Sequence, residues 1–187
     1  MMETLSFDTP SLLTELYTQW ETLGGEQACR LWIACSDHGM NDAARRIRRW
    51  GRELVVREFG GGIGQQAWLH DVASRAVDHF PIDEIVLCGH SGCSAIPEDE
   101  DEPHLRRSPP ADRLLRGAVR RMAHNARCRQ AVVDQIEALQ SDARIAELLE
   151  ADELRVTGMF YLEESGIFTV YNAATETFDP LEPLAII

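Results

Sequence analysis

Residues 31–37 read LWIACSD and residues 84–93 read EIVLCGHSGC, and these two stretches decide the fold. Each begins as a short continuous apolar run, which is typical of a strand buried on both faces of a parallel sheet. Each then ends in cysteine, histidine or aspartate side chains. Because the carboxyl ends of parallel strands meet at one edge of an open α/β sheet, we expect the two endings to lie close together.

Three side chains at these endings have the chemistry of zinc ligands. Cys35 ends the first run, and His90 and Cys93 lie on one glycine-containing turn after the second. Two thiolates and one imidazole suit Zn²⁺, and three protein ligands leave a fourth position open, as in catalytic zinc sites. Asp37 is close enough in sequence to hold a zinc-bound water or to occupy the fourth position itself. The alternative is a buried thiol and a hydrogen-bonded histidine on a turn between strand and helix.

The remaining sequence alternates between strand and helix patterns. Strands are predicted at 31–35, 53–59, 84–89, 154–161 and 167–171. Helices are predicted from residue 8 to the glycines at 24–25, at 41–50, at 65–79, and as two or three segments between 111 and 150. This order predicts one α/β domain over residues 1–187 with a mainly parallel central sheet flanked by helices, an N-terminal helical arm at 1–24 and an acidic, proline-rich loop at 97–110.

The composition excludes several classes of function. The 187 residues include 18 arginines, no lysine and 31 acidic residues, so the net charge is −13. This charge argues against binding nucleic acid or anionic lipid, because both need a dense basic surface. No apolar run approaches the ~18–20 residues of a membrane helix, and the N-terminus lacks the pattern of a signal peptide. We therefore expect a cytoplasmic protein that binds neither nucleic acid nor membranes.

The cysteine content favours a metal site over a disulfide framework. Five cysteines are an odd number, and the chain carries no export signal. Cys35 and Cys93 belong to the proposed metal site, whereas Cys29, Cys88 and Cys128 are left without a role in the chemistry.

The two stretches together resemble the signatures of the β-class carbonic anhydrases. That family carries Cys-x-Asp-x-Arg after one strand and His-x-x-Cys after another. Here the corresponding positions read Cys35-Ser36-Asp37-His38-Gly39 and His90-Ser91-Gly92-Cys93. The resemblance covers roughly residues 10–172 and includes ELVVREFGGG at 53–62, VVDQIEAL at 132–139 and ELRVTGMFYLEESGIFTVYN at 153–172.

The resemblance implies a β-carbonic-anhydrase-like fold and the reversible hydration of CO2 to bicarbonate through a zinc-bound hydroxide. Cys35, His90 and Cys93 match the family's zinc ligands, and Asp37 matches the aspartate that gates the metal and orients the hydroxide. Gln27 lies one residue from the position of a glutamine that some members direct at bicarbonate, so it is the candidate substrate-binding residue. Family members are dimers or higher assemblies of dimers, and we expect a homodimer or such an assembly.

The chain departs from the family at Gly39, where the family has an arginine that pairs with the aspartate and keeps it off the zinc. Three outcomes follow from this departure. Arg45 or Arg46 takes the place of the missing arginine, or a protonated His38 does so in a pH-dependent way. In the third outcome Asp37 binds the zinc and closes the site.

Three functions therefore stand beside one another. The first is a zinc carbonic anhydrase. The second is a hydrolase of a CO2-like molecule such as carbonyl sulfide or carbon disulfide, because the same site can attack another heterocumulene. The third is a catalytically silent zinc-binding relative, in which Asp37 is the fourth ligand.

Overall fold

The computed structural model describes residues 9–25, 29–97 and 110–181. The strands are β1 Cys29–Cys35, β2 Glu53–Glu58, β3 Ile82–His90, β4 Arg155–Leu162, β5 Ile167–Asn172 and β6 Thr177–Pro180. The helices are α1 Thr9–Thr22, α2 Asn41–Ile47, α3 Gln66–His79, α4 Pro110–Gln140 and α5 Ala143–Glu150. Short 3-10 turns lie at His38–Met40, Arg48–Trp50 and Phe59–Gly62. None of the helices in these ranges combines the length and the apolar character needed to cross a membrane.

The strands form one sheet in the order β2-β1-β3-β4-β5-β6. The pairs β1–β2, β1–β3 and β3–β4 are parallel, whereas β5 and β6 are added in antiparallel fashion. The chain runs outward from β1 to β2 and then crosses back over β1 to reach β3, so the strand order reverses between β1 and β3. Ligands of open α/β sheets bind outside the carboxyl ends of the strands at such a reversal. The two motifs, residues 35–39 and residues 90–93, therefore lie where this topology forms a crevice.

The core explains why the central strands are apolar along their whole length. Leu31 and Ile33 on β1, and Ile85 and Leu87 on β3, are fully buried. The residues that alternate with them, at 32, 34, 86 and 88, point to the opposite face and are buried as well, which is the burial pattern of a parallel sheet. Close packing around β1 and β3 holds their carboxyl ends, and hence the motif residues that follow, in a fixed geometry.

The α/β class and the mainly parallel sheet predicted from the sequence are confirmed. The strand β6 was not predicted, because its four residues are largely exposed, end in proline and show no apolar pattern. The helix α4 begins at Pro110, the last residue of the predicted 97–110 loop, and proline is well suited to a first helical position. Residues 98–109 of that loop lie outside the described residues.

Candidate metal centre

The carboxyl ends of β1 and β3 bring four predicted side chains together. The ligand atoms of Cys35, Asp37, His90 and Cys93 all lie within 4.8 Å of one another. The two sulfur atoms, Cys35 Sγ and Cys93 Sγ, are 3.8 Å apart. Both cysteines and His90 are buried, whereas Asp37 is partly exposed to solvent. The predicted convergence of the two strand endings is therefore present in the structure.

The chemistry of this cluster fits a zinc ion. His90 Nε2 is buried and has no hydrogen-bond partner among the residues that the structure describes. A buried polar atom is normally paired, so an unpaired ring nitrogen beside two thiols needs an explanation. An ion bound by this nitrogen and the sulfurs of Cys35 and Cys93 supplies one, because zinc takes mixed nitrogen and sulfur ligands.

Backbone amides prepare Cys35 to act as a thiolate. Its Sγ accepts hydrogen bonds from the N–H groups of Asp37, at 3.3 Å, and Gly60, at 3.2 Å. The Cys93 thiol beside it, and these amides, lower the pKa of Cys35 despite burial. Gly60 has φ of +68°, and a Cβ there would lie 2.9 Å from that of Ala95, so this donor position requires glycine.

Ser94 holds the carboxylate of Asp37. Asp37 Oδ2 accepts a hydrogen bond from the Ser94 hydroxyl at 2.6 Å and from the Ser94 N–H at 3.0 Å. These two bonds are the main reason that the pKa of Asp37 is lowered to about 2. The side chain is therefore ionised at neutral pH, and one of its oxygens is engaged by Ser94.

Neither arginine expected to replace the missing one contacts this carboxylate in the described structure. Arg45 lies 3.4 Å from Asp42 in an exposed ion pair. Arg46 donates to the carbonyl oxygen of Gly166, and its guanidinium lies 5.2 Å from the ring centre of Phe168. Of the three outcomes, the one in which Arg45 or Arg46 takes over the arginine's role is not supported by these contacts, because both side chains are engaged elsewhere. His38 is exposed to solvent.

A third arginine, Arg57 on β2, binds backbone oxygen atoms of the first motif with its side chain. Its guanidinium donates to the carbonyl oxygens of Cys35, at 3.1 Å, and Asp37, at 2.9 Å. It also donates to Asn41 Oδ1 at 2.8 Å. Arg57 therefore fixes the loop that carries Cys35 and Asp37, and its positive charge also interacts with the Asp37 carboxylate. Nothing in the sequence pattern of β2 distinguished it from a surface arginine.

The carboxylate of Glu163 occupies the space beside Gly39. A Cβ placed on Gly39 would overlap the carboxylate atoms of Glu163. That carboxylate accepts a hydrogen bond from His90 Nδ1, which also contacts the carbonyl oxygen of Ser91 at 3.0 Å. Metal-binding histidines commonly donate their second ring nitrogen to such an acceptor, which fixes the tautomer and the ring orientation. Glu163 was not predicted from the sequence, because it lies 73 residues from His90 on the turn between β4 and β5.

Comparison with known proteins identifies the family. A family model described as carbonic anhydrase matches residues 30–168, which contain both motifs. The chain belongs to the carbonic anhydrase family. Carbonic anhydrase 1 of Escherichia coli is 26% identical to it over 180 residues, which cover 87% of this chain and 82% of the relative. A carbonic anhydrase of Pseudomonas aeruginosa is 28% identical over 177 residues, covering 85% and 80% respectively.

Solved carbonic anhydrases of the β class share the fold of this family member. A tetrameric β-carbonic anhydrase of Sordaria macrospora aligns with a TM-score of 0.58 and 23% identity, covering 82% of this chain and 86% of the other. A β-carbonic anhydrase of Aspergillus fumigatus aligns with a TM-score of 0.61 and 21% identity, covering 95% and 88%. The predicted β-carbonic-anhydrase-like fold is therefore confirmed.

Other predicted residues lie away from the cluster or outside the described ranges. Gln27, the candidate substrate-binding residue, lies outside the described residues, so its role stays a prediction. Cys29 and Cys88 are buried on strands outside the metal cluster, and burial is the main cause of the raised pKa of each thiol. Their environments keep these two thiols protonated at neutral pH, unlike Cys35.

Proposed function

We propose that this protein catalyses the zinc-dependent, reversible hydration of CO2 to bicarbonate. Family membership supports this chemistry in general. The observation that carries the proposal for this chain is the contact between Asp37 and Ser94, which engages the carboxylate in the absence of the family's arginine. With Asp37 held in this way, Cys35, His90 and Cys93 would hold the zinc, and Asp37 would leave its fourth position to solvent or substrate.

The bound ion and the surrounding side chains have separate tasks. Zinc bound at this position would act as a Lewis acid that makes water nucleophilic near neutral pH. Asp37 is an ionised acceptor at neutral pH, and its second carboxylate oxygen can orient an attacking water by accepting a hydrogen bond. Glu163 holds the ring of His90, and the amides of Asp37 and Gly60 hold Cys35 Sγ. Because two thiolates neutralise the charge of the ion, we expect activity to be favoured at alkaline pH.

Stopped-flow measurement of CO2 hydration, together with zinc content, tests the proposal. We expect the zinc-loaded protein to accelerate hydration and the metal-free protein to have no effect. Cys93→Ser removes a ligand and should abolish zinc binding and activity, whereas Cys29→Ser, a matched change of a buried cysteine, should preserve both. Stoichiometric zinc without hydration would show a silent relative. Turnover of carbonyl sulfide without hydration of CO2 would identify the alternative hydrolase.

We also propose that α4 forms a contact between two copies of the chain. Leu115, Val119 and Met122 follow the spacing of one helix face and are 66%, 57% and 72% exposed. Exposed apolar patches of this kind mark interaction surfaces. The Sordaria macrospora enzymes of the same fold are tetrameric, which supports a second copy of this chain as the occupant.

The oligomeric state tests this contact. Sedimentation velocity of the zinc-loaded wild type should show a dimer or a larger even assembly. Met122→Glu places a charge within the face and should shift the distribution toward the monomer, whereas Glu137→Gln, farther along the same helix, should not. A wild-type protein that is monomeric at micromolar concentration would contradict the proposed contact.

A further inference from the structure

The charges around the metal cluster do not balance. Cys35 and Cys93, bound as thiolates, would offset the two charges of a zinc ion. Asp37 and Glu163 add one carboxylate each, the first as a member of the cluster and the second as its neighbour. The guanidinium of Arg57 is bonded to the first motif, and its positive charge acts on Asp37. The carboxylate of Glu163 is the charge that remains.

Glu163 forms no ion pair with an arginine in the part of the chain that the structure describes. Its carboxylate accepts a hydrogen bond from His90 Nδ1, and its backbone N–H donates to Ser91 Oγ at 2.9 Å. Arg46 contacts the same turn between β4 and β5, but it donates to the carbonyl oxygen of Gly166. A metal-bound histidine is neutral, so His90 does not neutralise the carboxylate either.

The negative charge of Glu163 is held in a fixed place beside the cluster. The carboxylate fills the space next to Gly39, where a Cβ would overlap it. Its hydrogen bond to Nδ1 holds it on the ring of His90, whose Nε2 faces the cluster. The Glu163 side chain is 33% exposed, so water screens its charge only in part. A charge at this place repels an anion that approaches the metal and leaves a neutral molecule unaffected.

We propose that Glu163 determines which molecules bind at the open metal position, because its charge disfavours anions and admits neutral molecules. The inference rests on the proposed function, in which CO2 is the neutral substrate and bicarbonate is the anionic product. A site with this charge releases bicarbonate readily, binds it weakly in the reverse reaction and resists small inhibitory anions. The charge does not distinguish CO2 from carbonyl sulfide, since both are neutral.

Azide titration of the cobalt-substituted protein tests the proposal without measuring catalysis. Co²⁺ takes the place of zinc, and its visible absorption spectrum changes when an anion binds to it. With cobalt in excess, at neutral pH and constant ionic strength, Glu163→Gln should bind azide about fivefold more tightly than wild type, because it removes a partly screened charge near the ion. Metal binding should weaken in the same variant, since His90 loses a charge-assisted hydrogen bond. The two affinities therefore change in opposite directions, whereas a general loosening of the site would weaken both.

Three control variants separate the charge of Glu163 from other effects. Glu163→Asp keeps the charge, so its affinity for azide should stay within about twofold of wild type. Glu164→Gln removes a carboxylate that contacts Ser91 rather than a metal ligand, and its effect should be smaller than that of Glu163→Gln. Glu137→Gln removes an exposed carboxylate on α4 and should leave azide binding unchanged.

Unchanged or weaker azide binding in Glu163→Gln would overturn the proposal, and so would equal effects of Glu163→Gln and Glu137→Gln. A cobalt spectrum that responds to azide in neither wild type nor Glu163→Gln would show a closed metal position and would also overturn it. Stopped-flow kinetics separate this inference from the proposed function. Azide binding as predicted without hydration of CO2 would refute the proposed function alone. In an active enzyme, the KM for bicarbonate should fall about fivefold in Glu163→Gln, and an unchanged KM would refute the role of Glu163 alone.

Discussion

Replacing Glu163 by glutamine removes a charge from the hydrogen bond to His90 while keeping the size of the side chain. His90 Nδ1 retains the carbonyl oxygen of Ser91 as an acceptor at 3.0 Å, so the tautomer should not change. The substitution weakens the hydrogen bond between His90 Nδ1 and residue 163, which is charge-assisted in the wild type. We therefore expect weaker binding of zinc through His90 Nε2 without loss of the fold.

The size of the effect follows from these contacts. Hydrogen bonds to charged groups contribute about 1.5–3 kcal/mol and neutral ones about 0.5–1.5 kcal/mol, so the exchange should cost about 1 kcal/mol or slightly more. The Glu163 side chain is 33% exposed, and solvent screening places the effect at the lower end. A loss of about 1 kcal/mol corresponds to about fivefold weaker zinc binding.

Competition with a chromogenic zinc chelator at fixed pH measures this affinity directly. Gly39→Ala is a second perturbation of the same contact, because the added Cβ would overlap the Glu163 carboxylate and displace it. It should weaken zinc binding to a similar degree. Glu164→Gln is the matched control, since that neighbouring carboxylate contacts Ser91 and not His90. Wild-type affinity in Glu163→Gln, or an equal loss in Glu164→Gln, would refute the assigned role of Glu163.

Three further predictions concern the first motif. Ser94→Ala should destabilise the metal-free protein. In urea unfolding, the loss in free energy of unfolding relative to wild type should be largest above about pH 4 and should shrink as the pH falls toward 2. The reason is that Asp37 stabilises the fold only while it is ionised, because its pKa is about 2 in the folded state and about 4 in the unfolded state. A loss of stability that does not depend on pH would contradict this explanation. Gly39→Arg should weaken zinc binding in the chelator assay and should not raise CO2 hydration, because the new side chain would contact Glu163 before it reaches Asp37. Increased activity would show instead that the missing arginine limits the wild type. Arg57→Lys should lower the free energy of unfolding by about 2 kcal/mol, because an ammonium cannot reproduce the three hydrogen bonds of the guanidinium to the loop. An unchanged urea midpoint would show that Arg57 does not stabilise this loop.

The sequence predicted the parts of the site that depend on strand order. Cys35 and His90 each end an apolar run, and parallel neighbours must place such endings at one edge of the sheet. Cys93 follows from the turn after His90. These three residues lie together in the structure because β1 and β3 are adjacent, which results from the chain crossing back over β1 after β2.

The residues that hold these ligands were not predicted, because their contacts join distant segments. Glu163 lies on an exposed turn, and its role depends on the absence of a side chain at Gly39. Ser94 is one residue beyond the second motif, and only the geometry of the folded turn brings it to Asp37. A local pattern of apolar and polar residues contains no information about such pairs.

A crystal structure of the zinc-loaded protein at mildly alkaline pH tests the central claim most directly, namely that Ser94 and not an arginine keeps Asp37 away from the metal. We predict zinc bound by Cys35, His90 and Cys93, with solvent as the fourth ligand and Asp37 still hydrogen-bonded to Ser94. A carboxylate oxygen of Asp37 as the fourth zinc ligand, with its bonds to Ser94 broken, would contradict the account.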